Sequence, residues 1–280
     1  MKLLIGTPLR FGASGEFLGA LLGLLRSALP QHEIEFTAVG GGCVNMARND
    51  LAYMAVSGGF DALLQIDEDL HWGVRHVERI VGLEVDVVSG LYCKRKPGTP
   101  EWLFIPKPGA EPKDGMIECS GLPTGFLFTT TRVLKDIAAD NPQLAFDYKE
   151  DSQVRLDGTR TEWFPMGVVG RNTDAAKLHQ ISALIGNSTD QQARSNDLGL
   201  ANDFMDSVQL IVCDVANGNN RWLGEDYGFS RLARKSGFSL WQDLGGEIIR
   251  HGPAPGFPIT EDAVGYRAGQ PFLMPPALDI

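Results

Sequence analysis

Three acids close one apolar run: Ala62-Leu63-Leu64-Gln65-Ile66 leads directly into Asp67-Glu68-Asp69. A buried strand that delivers carboxylates at its carboxyl end is one way to hold a divalent cation against a phosphorylated ligand. A hard cation such as Mg2+ or Mn2+ takes oxygen ligands, one or two from protein carboxylates and the rest from phosphate and water. Asp67 and Asp69 are two residues apart. On an extended strand they point the same way, and Glu68 points the other. The competing reading is a solvated acidic turn that caps the next helix.

Four further places carry candidate chemistry. Arg48, in Ala47-Arg48-Asn49-Asp50, presents a guanidinium that can fork onto a phosphate or a base edge, or simply pair with Asp50 on a solvated helix face. Pro123-Thr124-Gly125-Phe126 is a small-residue turn entering an apolar strand, which lets backbone approach a ligand closely. Gly224-Glu225-Asp226 places two acids at the start of a helix, where the helix dipole favours them. Facing a bound sugar, either carboxylate could act as general base on a hydroxyl. His251 follows a short strand and is a candidate metal ligand, whereas His32, His71, His76 and His179 lie in helical or loop contexts.

The elements that position these residues follow from periodicity. Lys2–Gly6 reads as a buried strand that Thr7-Pro8 ends. Phe17, Leu18, Leu21, Leu22, Leu25 and Leu29 recur at helical spacing, and Pro30 stops that helix. Strand Ile34–Val39, helix Val44–Val56, strand Asp61–Ile66, helix Trp72–Leu83 and strand Val85–Gly90 follow. This alternation predicts an α/β domain with a mostly parallel sheet flanked by helices. Ligands of such sheets sit beyond the carboxyl ends of strands, where Thr7, Asp67, Asp69 and Gly90-Leu91-Tyr92 fall.

The second half is less regular. Trp102–Ile105 reads as an edge strand, Gly125–Thr130 as a strand and Val133–Ala139 as a helix. Asn141–Asn220 shows few periods apart from a buried strand at Val208–Val212, and its polar section Asn187–Asp203 reads as a long excursion. Asp226–Ser236 is a helix closed by Gly237, with short strands at Phe238–Trp241 and Glu247–Arg250. A Pro-rich tail follows at 253–280.

Bulk properties narrow the classes. The chain has 280 residues, 43% hydrophobic and 21% charged, enough for a sizeable core without staples. The net charge of −10 argues against broad attraction to nucleic acid or anionic membrane. Cys43, Cys93, Cys119 and Cys213 form no C-x-x-C pair, so neither a zinc knuckle nor a disulfide scaffold is signalled. The N-terminus is broken by Gly6 and Pro8 too early for a signal peptide, and Phe17–Leu29 is too short to span a bilayer. A cytoplasmic protein is expected (host cytoplasm if the source is viral).

Taken in order, these motifs resemble the nucleotide-sugar-dependent glycosyltransferases of the GT-A fold. The resemblance covers most of residues 1–252. It rests on Thr7-Pro8, Ala47-Arg48-Asn49, the strand into Asp67-Glu68-Asp69, Val87-Val88-Ser89-Gly90-Leu91-Tyr92, Pro123-Thr124-Gly125-Phe126, Gly224-Glu225-Asp226 with Phe229 and Arg231, and His251. It has no counterpart for Asn141–Asn220 or for the tail. It implies one GT-A domain, Rossmann-like, with a nucleotide-binding half at 1–92 and an acceptor and sugar half at 93–252. It implies a nucleotide-sugar donor, UDP-linked, and a divalent metal held by Asp67, Asp69 and His251. Thr7 and Pro8 would line the base pocket, Arg48 would contact base or diphosphate, and Gly125 would lie near the donor sugar. Glu225 or Asp226 would contact sugar or acceptor, one of them as base if the reaction inverts.

A distant likeness to the retaining mannosyltransferases of fungal Golgi complexes leaves the stereochemistry open. Unanchored enzymes of this look also occur in bacteriophages, where some glycosylate hydroxymethylated pyrimidines in DNA. Lys94-Arg95-Lys96, Lys107, Lys113 and the Arg231/Arg234/Lys235 cluster are the candidates for a phosphate backbone. Saccharide, lipid-linked and protein acceptors are the alternatives. A nucleotidyltransferase would want a basic, Gly-rich loop after the first strand, but Gly6–Gly15 offers only Arg10. A nucleotide-sugar-binding module without catalysis is the non-enzyme alternative.

Overall fold

β3 (Ala62–Ile66) is buried along its whole length because helices cover both of its faces. The computed structural model describes residues 1–9, 12–27, 31–40, 43–94, 102–147, 159–165, 167–170 and 220–251. Around β3 lie β1 (Lys2–Leu9), α1 (Gly15–Arg26), β2 (Glu33–Gly40), α2 (Val44–Ser57), β4 (Leu70–His71), α3 (Val74–Gly82) and β5 (Val87–Ser89). Then come β6 (Ile105–Pro106), β7 (Met116–Gly121), β8 (Phe126–Thr130), α4 (Thr131–Asp140), a 3-10 turn (Pro142–Leu144), β9 (Ala145–Asp147) and β10 (Thr159–Thr161). The series closes with β11 (Gly167–Gly170), β12 (Asn220–Leu223), α5 (Glu225–Lys235), β13 (Leu240–Asp243) and β14 (Arg250–His251).

The main sheet runs β2-β1-β3-β8-β5-β13-β7-β6. Its pairs β1/β2, β1/β3 and β5/β13 are parallel. The pairs of β8 with β3 and β5, and of β7 with β13 and β6, are antiparallel. All strands but β7 and β8 therefore point one way. The period of two divides the core. Leu3, Ile5, Leu64 and Ile66 pack with Phe17, Leu21 and Leu24 of α1. Leu4 and Leu63 pack on the other face with Leu51, Ala52 and Ala55 of α2. Gly6 permits that second contact, because a Cβ there would stand 2.8 Å from Leu51 Cδ2.

α1 begins at Ser14, whose Oγ accepts from the Phe17 amide at 3.0 Å, and its terminal charges, Glu16 and Arg26, suit the dipole. By contact the chain divides into a unit of 1–165 and 225–280 and a second unit of 166–224, of which β11 and β12 are described as an antiparallel pair. Among the described residues no helix is long and apolar enough to cross a membrane.

The structure corrects several sequence-based expectations. Thr7 and Pro8 lie inside β1, which continues to Leu9 along β2. Pro8 is tolerated because β1 pairs with β3 only as far as Gly6, so the proline sits where the strand has one neighbour. β5 does not follow β3 across the sheet: β8 separates them. β7 is a strand that the sequence reading lacked, as is the β9/β10 pair within the weakly periodic stretch Asn141–Asn220. Val208–Val212, Asn187–Asp203, Arg95, Lys96 and the tail lie outside the described residues.

Candidate functional site

The site begins with Gln65 and Asp67. Gln65 lies two residues after Leu63, so the pleat turns it to the α2 side of the sheet, where Arg48 waits. Arg48 is 2% exposed. Its Nη1 donates to Gln65 Oε1 at 3.1 Å and to the Thr124 carbonyl at 3.3 Å, and its Nη2 donates to Asp67 Oδ1 at 2.9 Å. Its Nε is buried without a hydrogen-bond partner, 3.8 Å from Glu225 Oε1.

The Asp67 amide donates to the Gly125 carbonyl at 2.8 Å. The Gly125 amide in turn donates to the Tyr92 hydroxyl at 2.6 Å. Glycine is required here: a Cβ would stand 2.5 Å from the Tyr92 hydroxyl and 2.9 Å from Asp67 Oδ2. Thr124 supplies a second tie, since its hydroxyl donates to Asp226 Oδ1. α5 is fixed by Ser230, whose Oγ donates to the Asp226 carbonyl and accepts from the Leu122 amide.

One guanidinium thus faces three carboxylates. Burial pulls the Arg48 pKa down, but Asp67, Asp226 and Glu225 outweigh it and the net shift is upward. Burial pushes the half-buried Asp226 up to about 6, with Glu225 adding to the rise and Arg48 opposing it. Burial, then Asp226 and Asp67, hold the Tyr92 hydroxyl well above its ordinary range and therefore neutral.

The acidic triplet does not continue as a strand. The Leu70 amide donates to the Asp67 carbonyl at 3.1 Å, closing a turn that sends the three acids to different partners. Asp67 meets Arg48, and Glu68 Oε2 accepts from the Gly12 amide at 3.0 Å. Asp69 Oδ1 lies 3.9 Å from His251 Nδ1. His251 arrives because β14 pairs with β4, directly after the turn. Its Nε2 is 2.8 Å from the Cys93 carbonyl, so in the neutral ring Nε2 carries the proton and Nδ1 keeps the lone pair. A carbonyl behind one ring nitrogen and a carboxylate before the other is the setting of a ligating histidine. Among the described residues no three His, Cys, Asp or Glu side chains converge on one point. Asp69 and His251 bring one carboxylate and one imidazole donor together, of which only the carboxylate is of the oxygen type a hard cation prefers.

Arg48, Asp67, Gly125, Glu225 and Asp226 therefore form one network, and Asp69 with His251 form a pair beyond the same turn. Thr7 and Pro8 are not part of Arg48's bonding. Thr7 is fully buried, with an Oγ1 that has no hydrogen-bond partner. The local Arg48–Asp50 alternative is overturned, since Asp50 pairs with Arg160 and the Asn49 side chain accepts from the Phe164 amide. Sequence reasoning missed Gln65, Tyr92 and Thr124 as individual residues. Each stands inside a segment it singled out, but nothing in a sequence shows which polar atom a buried arginine will choose.

Among the surface cations, Lys107 pairs with Glu118 at 2.9 Å. Arg234 donates to the Ser120 carbonyl and Lys235 to Asn141.

Comparison with known proteins yields no matching family model and no matching curated protein. Protein A197 from STIV is similar to this chain over 55% of its residues and 72% of its own, at 20% identity and a TM-score of 0.35. So is a protein from Desulfovibrio desulfuricans G20 whose name proposes a nucleotide-diphospho-sugar transferase, over 32% of this chain and 58% of that one, at 15% identity and a TM-score of 0.25.

Proposed function

We propose that the chain is a glycosyltransferase that moves a sugar from a UDP-sugar to an acceptor hydroxyl. One observation carries the reading: at the carboxyl end of a fully buried strand, a buried arginine is shared by three carboxylates and keeps an unbonded Nε–H for a ligand. The excess of acid over base there attracts a cation. Asp69 and His251 would hold a divalent cation, with Asp67 beside them. When bound, that cation would neutralise charge on the departing diphosphate.

Arg48 orients Asp67 and offers its Nε–H to a donor oxygen. Asp226, at about 6, is poised to take a proton near neutral pH. The acceptor oxygen bonds to the anomeric carbon, the bond from that carbon to the diphosphate oxygen breaks, and the acceptor proton passes to the Asp226 carboxylate. Glu225, adjacent on the first turn of α5, would contact the sugar.

The test is release of nucleoside diphosphate from a panel of UDP- and GDP-sugars, with and without Mn2+. One arm supplies DNA containing hydroxymethylcytosine and another supplies saccharides, each followed by mass analysis of the acceptor. Metal-dependent turnover with an acceptor of either kind supports the reading. Binding of nucleotide-sugar with no turnover or slow hydrolysis in any arm would instead indicate a binding module.

A further inference from the structure

We propose that α1 is a self-association surface, at which a second copy of this chain packs antiparallel against the same helix. α1 turns Phe17, Leu21 and Leu24 into the core. Its other face carries Leu18, Leu22 and Leu25, spaced to form one ridge, and they are 48%, 53% and 54% exposed. Beside the ridge runs a second line, Gly15, Gly19 and Gly23. Among the described residues a methyl group on Gly15 or Gly19 would meet nothing within 4 Å, and one on Gly23 would only graze Val74. Packing within the protomer therefore does not require these glycines, although glycine weakens a helix interior. They form a groove open to an external approach.

Ridge and groove on one helix are self-complementary under a two-fold axis. With the axis between residues 20 and 21, Leu18 of one copy lies over Gly23 of the other, and Leu22 lies over Gly19. The same register brings the ends of the helices together with the right charges. Glu16 stands in the first turn and Arg26 in the last. An antiparallel pair sets Glu16 of one copy beside Arg26 of the other, at both ends. A parallel pair would set like charges together. Glu16 is half exposed and its near neighbour is His71 at 3.9 Å, so it is accessible for this role. One helix face is smaller than the roughly 800 Å² per partner of a stable interface, so the dimer is a weak one that dissociates on dilution.

Sedimentation velocity across a concentration series reads this out, and it does not depend on the glycosyltransferase reading. The wild type should shift from monomer to dimer as concentration rises. Gly19→Ala should raise the thermal midpoint of the dilute protein, because alanine favours the helix, while weakening association at least tenfold. Arg26→Glu should weaken association similarly, and the double variant Glu16→Arg/Arg26→Glu should restore it. A monomer at every concentration up to the solubility limit would overturn the proposal. So would a double variant no better than either single one. Flotation of the wild type with neutral vesicles, lost in Leu22→Glu, would assign the face to lipid instead.

Discussion

Among the described residues, three arginines whose own side chains are two-thirds or more buried meet aspartates, and they do so in different ways. Arg79 of α3 grips Asp243 of β13 with Nε at 3.0 and 2.8 Å and Nη2 at 2.7 Å, a fork closed on one carboxylate. Arg160 of β10 pairs with Asp50 of α2, both nearly inaccessible, and lies over the Tyr53 ring. Arg48 instead is divided among Asp67, Glu225 and Asp226. A one-to-one pair answers its own desolvation and holds elements together. A shared arginine leaves negative charge uncompensated, and such an arrangement persists at a stability cost. The two paired arginines act as fasteners, and the shared arginine marks the candidate functional site.

The comparison can be broken by substitution. Asp226→Asn should have the largest effect, and it should be two-sided. Loss of a general base lowers turnover about 10²–10⁴-fold. Stability should move the other way. The folded pKa of Asp226 stands above its unfolded value, so its contribution to stability is whole below the ordinary aspartate range and is lost as pH climbs through about 6. Asparagine does not titrate. The variant should therefore gain on the wild type between pH 4 and 6 and keep a plateau above, read as a rise of a few degrees in melting temperature.

Arg160→Met comes next. It strands Asp50 in the core and should cost about 3–5 kcal/mol in urea denaturation, with no direct effect on ligand affinity. Arg79→Met should cost about 1–3 kcal/mol, less than Arg160→Met because the Arg79 side chain is 33% exposed. The smallest effect belongs to Tyr92→Phe, which removes the acceptor of the Gly125 amide and should cost about 1 kcal/mol. If Asp226→Asn destabilises like the two arginine variants at pH 8, Arg48 is a fastener too and the distinction fails.

How much of this was legible in the sequence depends on range. The alternation that sets β1, α1, β2, α2 and β3 is local, and it survives almost residue by residue. The insertion of β8 between β3 and β5 is not local, because an antiparallel neighbour from 126–130 leaves no mark on residues 62–66 or 87–89. β7 was hidden by its own composition: Met116-Ile117-Glu118-Cys119-Ser120-Gly121 alternates, but its small polar end reads as loop. At the site, residue types were legible and partners were not. Arg48, Asp67 and the Glu225-Asp226 pair were visible as charges. Their convergence depends on Gln65 and Thr124, ordinary residues whose role follows only from where the strands lie. Asp69 shows the reverse error. Its spacing from Asp67 implied a shared direction, and the 67–70 turn gave it a different partner.

The most direct test of the candidate site is calorimetric titration with UDP-glucose, alone and with Mn2+. The wild type should bind at least tenfold more tightly with Mn2+, and Asp69→Asn should lose that gain while keeping the wild-type fold. Absence of binding for UDP-glucose and every other sugar nucleotide in both conditions, or an Asp69→Asn variant with undiminished Mn2+ dependence, would contradict the account.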